Sequence, residues 1–175
     1  DLINWSTQKA IPVMADEPAA LNCWAPEIAW DTKRREFLIF WATTVTNRFR
    51  ETAGAGDEGY NHRIYATTTT DFTSFTPARL FYDPGFNVID ATLLAGGGRY
   101  YLIVKDETLH PAKKHLRVAS SDNIGGPYGN LSAPFTRDWV EGPAPLRVGD
   151  SFLVYFDAYR DHRYEAMRSR DLKVW

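Results

Sequence analysis

Three short runs carry the densest hydrophobic signal in the chain: residues 36–42 (EFLIFWA), 99–105 (RYYLIVK) and 151–157 (SFLVYFD). Each is aromatic and branched and too brief for a buried helix, which predicts a buried strand. A second, more polar strand is predicted after each, at 62–68, 115–120 and 164–169. An Asp-led turn then follows: DFTSF from Asp71, DNIGG from Asp122 and DLKVW from Asp171. The chain itself opens on such a turn, DLINW from Asp1.

The four aspartates are 70, 51 and 49 residues apart. The longest interval contains residues 48–61 (RFRETAGAGDEGYN), whose glycine and charge content predicts an exposed insertion. A repeat of this length, built only from strands and turns, predicts an all-β chain: a β-propeller of four-stranded antiparallel blades around a channel. About three blades are expected. Residues 1–15 read as the outer strand of a preceding blade, 22–84 and 85–137 as two blades, and 138–175 as an incomplete one. Propellers have roughly 4–8 blades, so this is expected to be a partial propeller, cut from a longer chain or completed by a second copy. Two copies would supply six blade equivalents as a homo-oligomer.

Ahead of each apolar run lies the segment expected to line the axis: WAPEIAW, NVIDATLL and WVEGPAPL. Glu27 precedes Phe37 by ten positions, Asp90 precedes Tyr100 by ten, and Glu141 precedes Phe152 by eleven. On this count three carboxylates occupy equivalent positions and face one axial funnel. Their apolar neighbours argue against a solvated face.

Composition narrows the chemistry. The 175 residues, 44% hydrophobic, suffice for a sizeable core. Aromatic residues reach 14%, which serves strand packing first and leaves some for stacking on sugar rings. Trp24 and Trp139 sit beside the acids and are the better candidates for a sugar platform, ahead of Trp30. Trp41 lies in a core strand and is expected to pack. Trp5 and Trp175 occupy equivalent turns and are expected to anchor blade to blade. A net charge of −2 without a Lys/Arg stripe argues against nucleic acid. No apolar run approaches the ~18 residues of a membrane helix. The single cysteine, Cys23, excludes an internal disulfide or a cysteine-based zinc site. His62, His110, His115 and His162 lack ligand spacing with acids, so no metal is expected. Arg163 and Arg168 read as solvated, and Gly96, Gly97 and Gly98 as a hairpin turn.

The segments CWAPEIAWD (23–31), NVIDATLL (87–94) and WVEGPAPL (139–146) resemble successive inner-strand motifs of glycoside hydrolase family 43. The opening DLINWS resembles the turn that ends that family's first blade. The resemblance runs along nearly the whole chain, and the three motifs are specific in this order. It implies a five-bladed propeller that hydrolyses arabinose- or xylose-containing plant polysaccharides or oligosaccharides with inversion. Glu141 would then be the general acid and Asp90 the orienting, pKa-tuning aspartate. Glu27, Trp24 and Trp139 would line the sugar site, and the water-activating aspartate would lie before Asp1. No cofactor is expected, since the structural calcium of relatives would need further blades. Inversion requires a protonated acid at the leaving oxygen and a second carboxylate about 6.5–9.5 Å away. Glu141 would therefore need burial or a like charge, which Asp90 could supply. The residues alone leave two alternatives open: a propeller fragment that binds carbohydrate without cleaving it, or one that self-assembles.

Overall fold

The computed structural model describes residues 1–175 and holds ten strands in three antiparallel sheets. The first sheet is built from β1 (Trp24–Asp31), β2 (Glu36–Thr44), β3 (His62–Thr69) and β4 (Arg79–Tyr82), paired in that order. The second contains β5 (Val88–Gly96), β6 (Arg99–Asp106) and β7 (His115–Ser121). The third contains β8 (Glu141–Val148), β9 (Ser151–Ala158) and β10 (Arg163–Ser169). Each sheet is a meander in chain order, and β5 lies between β1 and β8. These are blades of a β-propeller with their first strands innermost.

Only the first blade reaches the expected four strands. In the second, the fourth position shrinks to a single bridge in which Ser120 and Gly129 exchange backbone bonds of 2.8 and 3.0 Å. Pro127 and Pro134 interrupt that segment, and a proline cannot donate to a ladder. Residues 1–15 form no strand. Asp1 instead closes a local turn by accepting from the amides of Ile3 and Asn4.

The middle blade shows why the predicted strands read as unbroken apolar runs. Side chains alternate along a strand, so Leu102 and Val104 of β6 pack toward the first blade with Leu38, Phe40 and Ile64. Ile103 points the other way, onto Val154, Phe156 and Val140 beside the third blade. Both faces are covered, and both must be apolar. Trp41 is buried on the far side of β2 with Tyr65 and Val45, as a packing residue should be.

The aspartate turns repeat in detail. Asp71 accepts from the amides of Thr73 and Ser74, and Asp171 from those of Lys173 and Val174. The residue after each is left-handed, with φ of 57° at Phe72 and 60° at Leu172. Asp122 departs from the pattern and pairs with Arg99 at 2.8 Å. Trp175 stacks on Phe135 at 4.5 Å and so ties the last turn to the neighbouring blade. Trp5, expected to do the same, is 76% exposed.

The insertion at 48–61 is not free. Arg63, fully buried at the start of β3, donates to Thr52, Asn61 and Asp83, and its guanidinium lies 4.3 Å from the Phe49 ring centroid. The Ala55 carbonyl accepts from Leu109 and His110 of the second blade. Gly97 and Gly98, at φ of 56° and 76°, form the predicted two-residue hairpin between β5 and β6.

Candidate active site

Each innermost strand carries a β-bulge at the same place. The ladder skips between Trp24 and Glu27 in β1, between Ile89 and Thr92 in β5, and between Glu141 and Ala144 in β8. In each, the residue after the first of these is left-handed: Ala25 at φ 47°, Asp90 at 51° and Gly142 at 59°. Bulges of this kind bend a strand and re-aim its side chains, here at the axis.

The bulges also correct the expected register. Trp24, Ile89 and Glu141 are equivalent, as are Ala25, Asp90 and Gly142, and then Glu27, Thr92 and Ala144. The three acids therefore occupy three different positions. Counting back from the core strands misplaced Glu27 because its hairpin is longer: four residues separate β1 from β2, but two separate β5 from β6 and β8 from β9. The counts of ten to Asp90 and eleven to Glu141 already differ by the one position that separates those two.

Two of the three acids share a cavity, and Glu141 is not among the residues that line it. Asp90 and Glu27 line one axial cavity of about 310 Å³ with Ala25, Gly142 and Pro143. Asp90 Oδ2 accepts from the Gly142 amide at 3.0 Å, which links the second blade to the residue after Glu141. Burial raises the Asp90 pKa above the ordinary carboxylate value, and the charges of Glu141 and Glu107 push the same way. The Gly142 bond and the Lys105 ammonium oppose them without prevailing. Glu27 is exposed at the rim.

Glu141 belongs to a network that the sequence reading missed. Its Oε2 accepts from Lys105 Nζ at 2.8 Å, and the same ammonium lies 2.6 Å from Glu107 Oε2. Glu107 in turn pairs with Lys114. Burial alone would lower the Lys105 pKa, but the charges and hydrogen bonds of Glu107 and Glu141 outweigh it and leave it raised. The Tyr159 ring stands 5.4 Å from the ammonium. Burial raises the phenol pKa there, with Lys105 opposing. One signal was available: a lysine directly after RYYLIV, in a strand otherwise buried on both faces, needs a buried partner.

Trp24 faces a second cavity of about 260 Å³, shared with Tyr60, His62, Asn87 and Glu107 and rimmed by Asp57 and Glu58. The Trp24 ring lies 4.8 Å from both Tyr60 and His62. Insertion and innermost strand together thus build an aromatic wall, and Glu107 connects this cavity to Lys105 and Glu141. Trp139 is half-buried, with the Arg160 guanidinium 3.1 Å from its ring centroid. That face is already occupied by a cation. Arg163 pairs with Asp161 and Glu165, and Arg168 with Ser151, away from both cavities.

The family described as "Probable glycosyl hydrolase domain", a relative of glycoside hydrolase family 43, matches residues 1–175. An α-L-arabinofuranosidase of Bifidobacterium longum subsp. longum is 29% identical over 128 residues, which cover 69% of this chain and 12% of that protein. Among solved structures, a family 117 glycoside hydrolase from the marine bacterium Zobellia galactanivorans superposes with a TM-score of 0.71 at 14% identity, covering 97% of this chain and 58% of that one. An α-L-arabinofuranosidase from Lactobacillus brevis gives 0.60 at 19% identity, covering 81% and 47%. At such identities the structural likenesses establish the propeller fold. The chain spans only part of each of these relatives.

Proposed function

The chain belongs to the family of probable glycosyl hydrolase domains related to family 43, and on that footing we propose that it carries the acid half of an inverting glycoside hydrolase site. The substrates are arabinose- or xylose-containing plant polysaccharides or oligosaccharides. Glu141 is the general acid, Asp90 orients it and tunes its charge, and Trp24, Trp139 and Glu27 line the sugar site. The water-activating carboxylate is assigned to a blade outside these residues.

The observation that carries the reading is the blade-to-blade link at the axis. Asp90 is half-buried and held by the amide next to Glu141, so its charge acts on the acid from a fixed position. Close pairs of carboxylates with different surroundings are how hydrolases separate acid from base roles. The half-exposed Glu141 side chain, at 43%, can reach a leaving oxygen above the cavity.

The Glu141–Lys105 ion pair favours a second reading, sugar binding without cleavage, because it already engages one oxygen of the proposed acid. Kinetics separate the two. In the protein that carries this chain together with its remaining blades, Glu141→Ala should lower turnover by about 10²–10⁴-fold on substrates with poor leaving groups. On an activated aryl glycoside, which needs little protonation, the loss should be far smaller. Equal losses on both substrates reject the acid role, and saturable sugar binding with no turnover in the wild type selects the second reading.

A further inference from the structure

We infer that Lys105 is a positioning residue for this reaction: its ammonium, shared between Glu107 and Glu141, holds the Glu141 carboxylate in place at the end of β8. The inference rests on the assignment of Glu141 proposed above. Lys105 lies near the end of β6, one blade away from Glu141, and pairs across the ladder with Ile89, the residue before Asp90. Its side chain is 2% exposed. A buried ammonium is tolerated only when paired, and both of its carboxylate partners lie within hydrogen-bonding distance.

The partners are unequal, and that decides the role. Glu107 has a side chain only 14% exposed and is held by two lysines, Lys105 and Lys114. It is the fixed post. Glu141 is bound by Lys105 alone among the charged groups and is otherwise free to turn toward solvent. Lys114, Glu107, Lys105 and Glu141 thus form a row of alternating sign, anchored at the buried end and presenting its last carboxylate to the site. A glutamate has three rotatable side-chain bonds, and freeing them disperses the carboxylate over several positions. An acid misplaced by about 1 Å can cost ~10²-fold in rate.

The test is a double-mutant cycle of Lys105→Met and Glu141→Gln, read on one poor and one activated leaving group in the protein with all its blades. Lys105→Met should lower kcat about 10- to 100-fold on the poor leaving group and leave KM within about twofold. On the activated aryl glycoside it should have little effect. It should add almost nothing to Glu141→Gln, because two residues acting through one group are non-additive. Lys105→Arg, which keeps the charge and donors, should restore part of the rate. A Lys105→Met loss that is equal on both substrates, or fully additive with Glu141→Gln, overturns the inference in favour of a purely structural lysine. Should Lys105→Met not yield a folded protein, the same comparisons are made with Lys105→Gln. Failure of the parent assignment looks different: Glu141→Gln itself would then show no dependence on the leaving group.

Discussion

His62 shows how a single side chain can tie stability to pH. It is 1% exposed, and its backbone N–H and Nδ1 both meet Asn87 Oδ1, at 2.7 and 3.1 Å. That amide oxygen can only accept, so the imidazole carries its proton on Nδ1. Burial lowers the His62 pKa from 6.5 to about 4, against the pull of Asn87 and Glu107 and with the help of Lys114 and Arg63. Between these values the unfolded chain binds the proton more readily than the folded one. Stability is therefore fully present above pH 6.5 and is lost as the pH falls toward 4, by on the order of 3 kcal/mol. Urea unfolding at pH 7 and pH 4.5 checks this. His62→Gln should flatten the difference, and an unchanged pH dependence in that variant would remove His62 as its source.

The insertion at 48–61 is an element whose role depends on one close approach. Gly56 lies against the Tyr60 carbonyl and the Asn87 side-chain amide, so closely that an added Cβ would collide with both. Asn87 cannot yield without releasing His62. Gly56→Ala should therefore push the insertion outward at a cost of about 1–3 kcal/mol, and with it the Tyr60 wall of the Trp24 cavity. Under the proposed function, KM of the protein with its remaining blades should rise more than kcat falls, since the change touches binding and leaves the Glu141–Lys105 row intact. A melting temperature and KM both equal to wild type would show that the loop accommodates the methyl. Glycine-rich and charged, this segment reads as an exposed insertion, and most of its residues are exposed. Its anchoring by Arg63, placed inside an otherwise ordinary strand, was not visible in the pattern.

Across the molecule, stability resides in the two layers between blades. Leu102 and Ile103 are adjacent in β6 and fully buried, yet they serve opposite interfaces. Leu102→Ala and Ile103→Ala should each cost about 2–5 kcal/mol, the usual price of a buried cavity. Val148, half exposed on β8, should tolerate alanine with a loss under about 1 kcal/mol. Denaturant midpoints of the three variants give the comparison. If the two β6 substitutions differ grossly, one interface is looser than its burial implies. The ion-pair cluster of Arg137, Arg163, Asp161 and Glu165 is solvent-facing and should matter far less, since exposed pairs contribute little.

Alternating side chains and tight turns are local physics. The chain therefore announced its strands, its hairpins and three of the four aspartate turns, and with them the repeating sheets of a propeller. Asp90 and Glu141 could be picked out because acids in apolar innermost segments need a reason to be there. What the linear pattern could not decide was which atoms meet. The hairpin between β1 and β2 is two residues longer than its counterparts, and the counts back to Asp90 and Glu141 differ by one, so the equivalence drawn between Glu27, Asp90 and Glu141 failed. Lys105 finds Glu107 within its own strand end but Glu141 only across a blade boundary, 36 residues away. Such contacts depend on the rotation from one sheet to the next, a quantity set by packing between blades and absent from any single stretch of sequence.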